Sequence, residues 1–344
     1  MISHEEHEEH EGAFFVCFVL FVRANWVFRF ADVSSDARRP PMERILRLGT
    51  RGSPLALTQA HMVKRALEAA HGWPDTVIEI VPVKTSGDRI QDRPLAEVGG
   101  KALWTKELDL ALDDRRIDFA VHSMKDVETI RPAEIVIAAM LPRADVRDRL
   151  IGAESIDAIR KDGRVGTSSP RRSAQLRRLR PDLEIVLFRG NVDTRLSRLN
   201  LGEADATLLA AAGLDRLGRA DVGVPIPIET MLPAPAQGAV GIEARRDDFE
   251  VREWLAAIDD AATSASVHAE RALLARLGAD CGSPVAALAI PAESGMRLQA
   301  QILSPDGSES VEDAALIGTP EDATTLAAAL LERASATLRA HFSG

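Results

Sequence analysis

Hydrophobic and polar positions repeat along residues 44–216 with two periods, one typical of strands and the other of helices. Short apolar runs, bounded by glycine or proline, predict strands over residues 44–50, 77–84, 118–123, 163–166, 184–189 and 204–211. Apolar residues three or four positions apart predict helices over 54–71, 101–115, 170–180 and 192–200, with a short one around Leu214. Strands and helices that take turns along a chain predict an α/β fold.

The pattern occurs twice, and the two copies begin alike. Gly49 to Pro54 reads GTRGSP and Gly166 to Pro170 reads GTSSP, so each places Gly-Thr after a strand and Ser-Pro before a helix. Serine is a preferred N-cap and proline a preferred first helical residue. We therefore expect two lobes of like architecture that face one another across a ligand cleft.

From about residue 261 the order of elements changes. A helix over 264–277, a loop over 278–284, strands over 285–290 and 297–303, the turn Ser304 to Gly307, a further strand and a helix over 321–342 predict a smaller α+β domain with an antiparallel sheet. Two connectors precede it, 142–148 and 225–237. The second contains Pro225, Pro227, Pro233 and Pro235, which predicts a stiff crossover or hinge.

Residues 1–41 differ in composition from the rest. An acidic, histidine-rich start is followed by an apolar run over 13–22, too short for a membrane span of about 20 residues. A secretory signal would carry positive charge before that run, and this segment carries negative charge. We expect a disordered extension or the product of an upstream start codon, with the folded chain beginning near Met42 and the protein located in the cytoplasm.

Composition and charge narrow the class of ligand. With 344 residues, 46% hydrophobic and 27% charged, the chain predicts a soluble protein of two or three domains. A sequence pI of about 5.4, 4% aromatics and no tyrosine disfavour nucleic acid as a partner. Arginines nevertheless concentrate in one stretch, at Arg164, Arg171, Arg172, Arg177, Arg178, Arg180, Arg189, Arg195 and Arg198.

That stretch predicts a polyanion site, because arginine makes paired hydrogen bonds to carboxylates. Arg171 and Arg172 lie at the start of a helix and are the expected donors, whereas Arg177, Arg178 and Arg180 are expected on a solvated helix face.

The chain's two cysteines, Cys17 and Cys281, indicate a reducing compartment. By spacing alone, Cys281 would be a small packed side chain.

Seven motifs, in order, resemble those of the porphobilinogen deaminase (hydroxymethylbilane synthase) family. They are TRGSPLAL from Thr50, VGGKALWTKEL from Val98, AVHSMKDV from Ala120, GTSSPRR from Gly166, RGNVDTRL from Arg189, AAGLDRLG from Ala211 and PAQGAVGIE from Pro235. The resemblance extends from Met42 to the C-terminus. No CxxC, HExxH or P-loop pattern appears, so neither a metal nor a nucleotide is expected.

The resemblance implies a fold and a reaction. The fold comprises two lobes like those of periplasmic binding proteins, lobe 1 over 42–142 and about 238–258 and lobe 2 over 146–234, plus a C-terminal domain over 261–344. The reaction is a transferase reaction of tetrapyrrole and heme biosynthesis. Four porphobilinogen molecules are joined head to tail with loss of ammonia, on a dipyrromethane cofactor held by a thioether to Cys281, and hydroxymethylbilane is released. A monomer with no nucleic-acid or membrane partner is expected.

The resemblance also implies the site residues. Asp126 matches the catalytic aspartate, which protonates the departing amine and balances the positive charge left behind; without the resemblance it would equally be a loop acid paired with Lys125. Each pyrrole carries two carboxylates, which need fixed polar and positive partners. The implied binding residues are Arg51, Ser53, Gln59, Asp88, Lys101, Ser123, Lys125, Thr167, Ser168, Ser169, Arg171, Arg172, Arg189, Arg195, Arg216 and Gln237. By position alone, Lys101 and Lys106 would also fit an exposed loop or helix.

Three positions depart from the family pattern. Glu128 replaces a usual proline, Trp104 a usual phenylalanine, and GSPVA follows Cys281. Glu128 adds negative charge near a polyanion site, so we expect a turnover different from that of relatives. The alternative function is a two-lobed binding protein for small organic anions that performs no chemistry; it leaves Cys281 and the C-terminal domain without a role.

Overall fold

The computed structural model describes residues 44–85 and 105–342, and the expected extension over 1–41 lies outside them. The strands are β1 Leu46–Arg51, β2 Ile78–Val83, β3 Phe119–Ser123, β4 Ile135–Met140, β5 Asp148–Ile151, β6 Arg164–Thr167, β7 Glu184–Leu187, β8 Ala206–Ala210, β9 Val224–Pro225, β10 Val240–Arg245, β11 Val285–Pro291, β12 Met296–Leu303 and β13 Ser310–Ile317. The helices are α1 Pro54–His71, α2 Lys106–Asp113, α3 Pro170–Leu179, α4 Val192–Asn200, α5 Ala211–Arg216, α6 Phe249–Ala256, α7 Ala261–Leu277, α8 Ala323–Arg333 and α9 Ala336–Arg339.

Two five-stranded sheets have the same topology. In lobe 1 the order is β2-β1-β3-β10-β4, with β1 parallel to β2 and β3, and β10 antiparallel to β3 and β4. In lobe 2 the order is β7-β6-β8-β5-β9, with β6 parallel to β7 and β8, and β5 antiparallel to β8 and β9. The prediction of two α/β lobes of like architecture is confirmed.

The repeated Gly-Thr and Ser-Pro signature forms the same turn in both lobes. Ser53 caps α1 by accepting from the Ala56 N–H at 3.3 Å, and Pro54 is the first helical residue. Ser169 caps α3 by accepting from the Arg172 N–H at 3.4 Å, again with proline first. The side-chain oxygen satisfies a donor that the helix itself leaves unpaired, so each strand turns into its helix at a defined residue.

The C-terminal domain is a three-stranded antiparallel sheet, β11-β12-β13, whose core is shared with α7 and α8. This confirms the expected smaller domain. The single helix expected over 321–342 is wrong: a 3-10 turn at Pro320–Asp322 leads into α8, which ends at Arg333. Ser335 then caps α9 by accepting from the Leu338 N–H at 3.0 Å, so a capping serine inside an apolar pattern divides the helix.

The pattern of hydrophobic and polar residues did not predict five of the observed elements, namely β4, β5, β9, β10 and α6. β10 is buried at every position although it contains Glu243 and Arg245. Glu243 accepts from Arg131 at 2.8 Å, and Arg245 donates to the Leu112 and Ile117 carbonyls at 2.8 Å. Charged residues in a central strand lower its hydropathy, so the apolar pattern does not reveal that the strand is buried.

The two segments that connect the lobes lie side by side against α7. Glu270 of α7 accepts from both terminal nitrogens of Arg143 in the first connector, at 2.7 and 3.0 Å, and from the Ala236 N–H in the second. Gly238 has φ +86°, and a Cβ there would lie 2.5 Å from the Ala144 carbonyl oxygen. The close approach therefore requires glycine.

Candidate functional site

The lobes enclose a cleft of about 380 Å³ at the ends of their parallel strands. β1 ends at Arg51, and β3 leads into a 3-10 turn, Met124–Asp126; in lobe 2, β6 leads to Ser168. Parallel strands end at the same sheet edge, so these residues meet where α/β folds commonly bind ligands. The loop between α7 and β11 brings Cys281 to the same cleft.

Most of the expected site residues line this cleft. They are Arg51, Ser53, Lys125, Asp126, Ser168, Ser169, Arg171, Arg172, Arg189, Arg195, Gln237 and Cys281. Gln59 and Ser123 line a smaller adjoining pocket, where the Gln59 amide donates to the Ser123 hydroxyl at 2.8 Å. Asp88 and Lys101 lie outside the described residues, as does the departure at Trp104.

Two expected binding residues are not among those that line the cleft, and their contact with ligand stays a prediction. Thr167 is buried at the end of β6, where its hydroxyl accepts from the Ser169 N–H at 3.2 Å. Arg216 of α5 donates to the Gly238 carbonyl at 2.6 Å, just after the second connector.

Arg171 and Arg172 share one buried carboxylate. Arg171 donates to one Asp148 oxygen at 2.7 Å, Arg172 donates to the other at 2.7 Å, and the Gln237 amide donates to the second oxygen at 2.8 Å. Burial alone would raise the pKa of Asp148, but the two guanidinium groups outweigh it and hold that pKa well below its usual range. The Nε–H groups of both arginines are buried without a hydrogen-bond partner among the described residues.

Lys125 and Asp126 stand next to this group. The Lys125 ammonium donates to the Gln237 side-chain oxygen at 3.3 Å. Burial lowers the pKa of Lys125 to about 8, and the positive charge of Arg172 adds to the shift. Burial also lowers the pKa of Arg195 to about 10, with Arg172 again contributing. Concentrated positive charge thus faces Asp126, a half-buried carboxylate.

The Cys281 loop is anchored to the segment that follows Asp126. The Thr129 hydroxyl donates to the Ala279 carbonyl at 2.7 Å, and the Asp280 side chain accepts from the Gly282 N–H at 2.7 Å. The Cys281 side chain opens onto the cleft. The cleft walls nevertheless displace solvent around it, and this burial, with the nearby Asp126 carboxylate, raises the pKa of the thiol to about 12. The thiol is therefore protonated near neutral pH.

The remaining arginines of α3 and its C-terminal end do not line the cleft. Arg177 donates to the Pro305 carbonyl at 2.9 Å, and Arg180 pairs with Asp182 at 2.7 Å. Arg178 is exposed. The expected solvated face is therefore found only at Arg178, because Arg177 reaches the C-terminal domain and Arg180 is held by Asp182 and by the carbonyls of Ile156 and Ile159.

Two polar residues, one bonded to cleft residues and one in the cleft lining, belong to none of the seven motifs. Asp148 fell within an expected connector, and its partner arginine Arg172 lies 24 residues away. Arg271 of α7 lines the cleft and donates to the Glu128 and Thr129 carbonyls at 2.6 and 3.0 Å. Such long-range contacts leave no periodic trace in the sequence.

Glu128 is less available to the cleft than its sequence position indicates. Its carboxylate accepts from Arg131 at 2.7 Å and from the Thr105 hydroxyl at 2.6 Å. Arg131 also pairs with Asp109 and Glu243, so the added negative charge belongs to a network within lobe 1. The predicted difference in turnover stays a prediction.

Two family models match the chain. "Porphobilinogen deaminase, dipyromethane cofactor binding domain" matches residues 46–253, and "Porphobilinogen deaminase, C-terminal domain" matches residues 264–336. A porphobilinogen deaminase of Sphingopyxis alaskensis is 56% identical over 304 residues, 87% of this chain and 96% of that one. One from Paracoccus denitrificans is 49% identical over 297 residues, 85% of this chain and 94% of that one.

Some solved structures align at much lower identity. The Bordetella pertussis BvgS periplasmic VFT2 domain is 15% identical with a TM-score of 0.36, over 62% of this chain and 86% of that one. The second substrate binding domain of a putative amino acid ABC transporter from Streptococcus pneumoniae is 12% identical with a TM-score of 0.38, over 62% and 90%. At these scores the alignments add nothing to the strand topology described above.

Proposed function

Because the chain belongs to the porphobilinogen deaminase family, we propose that Asp126, Cys281 and the cationic cleft between the lobes carry out its reaction. The enzyme is a hydroxymethylbilane synthase of tetrapyrrole biosynthesis that acts on porphobilinogen and has a dipyrromethane cofactor domain. The observation that carries the assignment of residues is that a carboxylate, a free thiol and the arginines all line one cleft.

The residues present fit a dipyrromethane group. Its carboxylates need buried donors, and the Arg171 and Arg172 Nε–H groups are buried without partners among the described residues. Its covalent link needs a free thiol, and Cys281 opens onto the cleft. When bound, dipyrromethane supplies the free pyrrole carbon to which porphobilinogen is joined.

Asp126 is the group proposed to move protons. Loss of ammonia from porphobilinogen requires a proton on the departing amine and leaves an electron-poor carbon. A protonated carboxyl group beside the substrate can donate that proton. The carboxylate left behind then balances the positive charge and takes up the proton released when the new carbon–carbon bond forms. Asp126 lies at the end of β3 within the cleft, where Lys125 and the arginines hold the substrate's carboxylates.

A direct assay tests the activity against the alternative of a binding protein without chemistry. Purified protein is incubated with porphobilinogen, and ammonia and hydroxymethylbilane are measured. We expect both products, together with a colour reaction of the protein with an aldehyde reagent for free pyrroles. A protein that binds porphobilinogen, releases no ammonia and carries no chromogen would instead be the two-lobed binding protein.

Arg171→Leu or Arg172→Leu is expected to impair assembly of the dipyrromethane cofactor or elongation of the pyrrole chain. A substrate or cofactor carboxylate would lose a paired donor in a partly desolvated cleft, a loss of about 2–5 kcal/mol. Lysine at either position should restore only part of the lost binding energy, because lysine lacks the planar guanidinium group that donates paired hydrogen bonds to a carboxylate. Turnover and the mass of the denatured protein are the measurements.

Arg178→Leu is the matched control, since Arg178 belongs to the same helix but is exposed and does not line the cleft. It should keep the wild-type rate. Melting temperatures separate ligand loss from destabilisation, because each leucine variant also leaves Asp148 with one arginine fewer. Wild-type rates in both leucine variants would place the anion site elsewhere.

We propose a division into lobe 1 over 42–142 and about 238–258, lobe 2 over 146–234 and a C-terminal domain over 261–344. Strand pairing supports it: β10 follows lobe 2 in the chain but pairs with β3 and β4 of lobe 1. Separate hydrophobic cores lie in the three parts. Limited proteolysis, with cleavage in the connectors, would test these boundaries.

Deletion of residues 1–41 is expected to leave folding and turnover unchanged. None of the seven motifs lies there, and the family match begins at residue 46. The truncated and full-length proteins should have equal melting temperatures and equal rates with porphobilinogen. Insoluble protein, or a large fall in rate, would show that the segment contributes to the fold.

A monomeric state and a cytoplasmic location belong to the same proposal. Large exposed apolar side chains of the described residues are spread over separate elements, for example Ile130, Leu201 and Phe249. Among the described helices, none has the length and apolar character needed to cross a membrane. Light scattering on the purified protein and fractionation of cells would test the two statements.

A further inference from the structure

Asp148 is the first residue of β5, at the point where the first connector enters lobe 2. It is 1% exposed and does not line the cleft, yet both of its oxygens are occupied by residues that do. Arg171 and Arg172 come from α3, and Gln237 comes from the second connector. One carboxylate thus joins three cleft residues from two separate segments.

The arginine pair needs such a partner. Two adjacent guanidinium groups repel one another, and each is almost fully buried. Their other hydrogen bonds go to uncharged acceptors: Arg171 donates to the Leu232 carbonyl and the Gln175 side-chain oxygen, and Arg172 donates to the Leu208 carbonyl, each at 2.9 Å. Neither a backbone carbonyl nor an amide side chain bears a net charge, so among these contacts only Asp148 supplies the negative charge that offsets the repulsion.

Resting on the proposed function, we propose that Asp148 is the positioning residue for pyrrole recognition: its carboxylate holds Arg171, Arg172 and Gln237 in the register that binds substrate carboxylates. Asp148 touches no substrate itself. Its two oxygens set the separation of the two guanidinium groups. It also accepts a hydrogen bond from Gln237, which in turn accepts one from Lys125, so the same carboxylate links the arginine pair to Lys125.

The same carboxylate also supports the charge of Lys125. The charged groups that act on Lys125 are Arg171 and Arg172 of α3, Asp126 of its own turn and Asp148 of β5. The arginines disfavour the ammonium form, whereas the two aspartates favour it. Neutralising Asp148 therefore moves the pKa of Lys125 further down from about 8, so that Lys125 loses its charge at a lower pH.

The test compares holoenzymes carrying Asp148→Asn, Asp148→Glu and Glu243→Gln. Glu243 is the matched control, because it is a fully buried carboxylate of β10 that holds Arg131 and lies outside the cleft lining. Intact mass first verifies that each preparation carries its two-pyrrole increment. Melting temperature, kcat, KM for porphobilinogen and the pH dependence of kcat/KM are then measured.

Asp148→Asn is expected to raise KM by about 10-fold or more, a change of about 1.4 kcal/mol, and to move the alkaline limb of kcat/KM to lower pH. Asp148→Glu keeps the charge but displaces the carboxylate by one methylene. It should raise KM by about 3-fold or more, or about 0.65 kcal/mol, and leave the alkaline limb in place. Glu243→Gln should lower the melting temperature without changing KM or the alkaline limb of the kcat/KM profile.

A wild-type KM and pH profile in Asp148→Asn, with only a lower melting temperature, would overturn the positioning role. If that variant does not fold, Asp148→Glu decides: a wild-type KM there overturns the proposal, and a raised KM with an unmoved alkaline limb supports it. Failure of the function itself is a different result, since wild-type protein would then release no hydroxymethylbilane.

Discussion

Cys281→Ala enzyme is expected to have the bare polypeptide mass after denaturation and no measurable turnover. The wild-type protein should be heavier by two pyrrole units, because a thioether survives denaturation whereas a bound ligand does not. Cys281 opens onto the cleft that contains Asp126, in a loop anchored by Thr129. This is the largest effect we expect, since without the thiol the growing chain has no attachment.

The chemistry of attachment follows from the state of the thiol. Burial and the Asp126 carboxylate raise the pKa of Cys281 to about 12, so little thiolate exists at neutral pH. As the carbon–sulfur bond forms with the electron-poor carbon left by loss of ammonia, the thiol proton must pass to an acceptor. We propose as acceptors the carboxylates of Asp126 and Asp280, which line the cleft and contribute to the raised pKa.

Cys17→Ala is the control for the cysteine experiment; Cys17 lies outside the described residues and outside all seven motifs. It should keep both the added mass and the rate. Mass spectrometry of denatured protein and an assay with porphobilinogen are sufficient. An active wild-type enzyme with only the polypeptide mass would contradict covalent attachment in this chain.

Asp126→Asn is expected to fold, to carry the two-pyrrole increment and to turn over porphobilinogen at least about 100-fold more slowly, the scale usual for general acid–base groups. An amide can neither donate a proton to the departing amine nor balance the positive charge that follows. Ammonia release in single-turnover experiments measures the step directly.

Glu128→Gln is the matched control for Asp126→Asn, because Glu128 is two residues away on the same segment but its carboxylate is directed to Arg131 and Thr105. It should lose far less activity. If Asp126→Asn carries the dipyrromethane cofactor and still releases ammonia at a near-normal rate, another acid performs the proton transfer.

Local features of the sequence predicted much of the fold and of the site. The Ser-Pro signatures at Ser53 and Ser169 predicted the two equivalent turns, because a cap and a first-position proline act within a few residues of one another. Helix α4 was predicted with its observed bounds, Val192–Asn200. The family resemblance implied that Asp126, Cys281 and the arginines act at one site, and in the structure these residues line one cleft.

The tertiary structure decided what depends on partners far apart in the chain. Asp148 meets Gln237 across 89 residues, and Glu243 meets Arg131 across 112, so no periodic pattern reveals that these buried charges are paired. It also showed the protein partners of Thr167 and Arg216, which do not line the cleft although both belong to motifs that predict ligand contact; that contact stays a prediction. Helix capping and amphipathic periodicity involve residues within one or two helical turns, so the sequence predicts them. The partner of a buried charge, in contrast, is determined only when distant segments pack together.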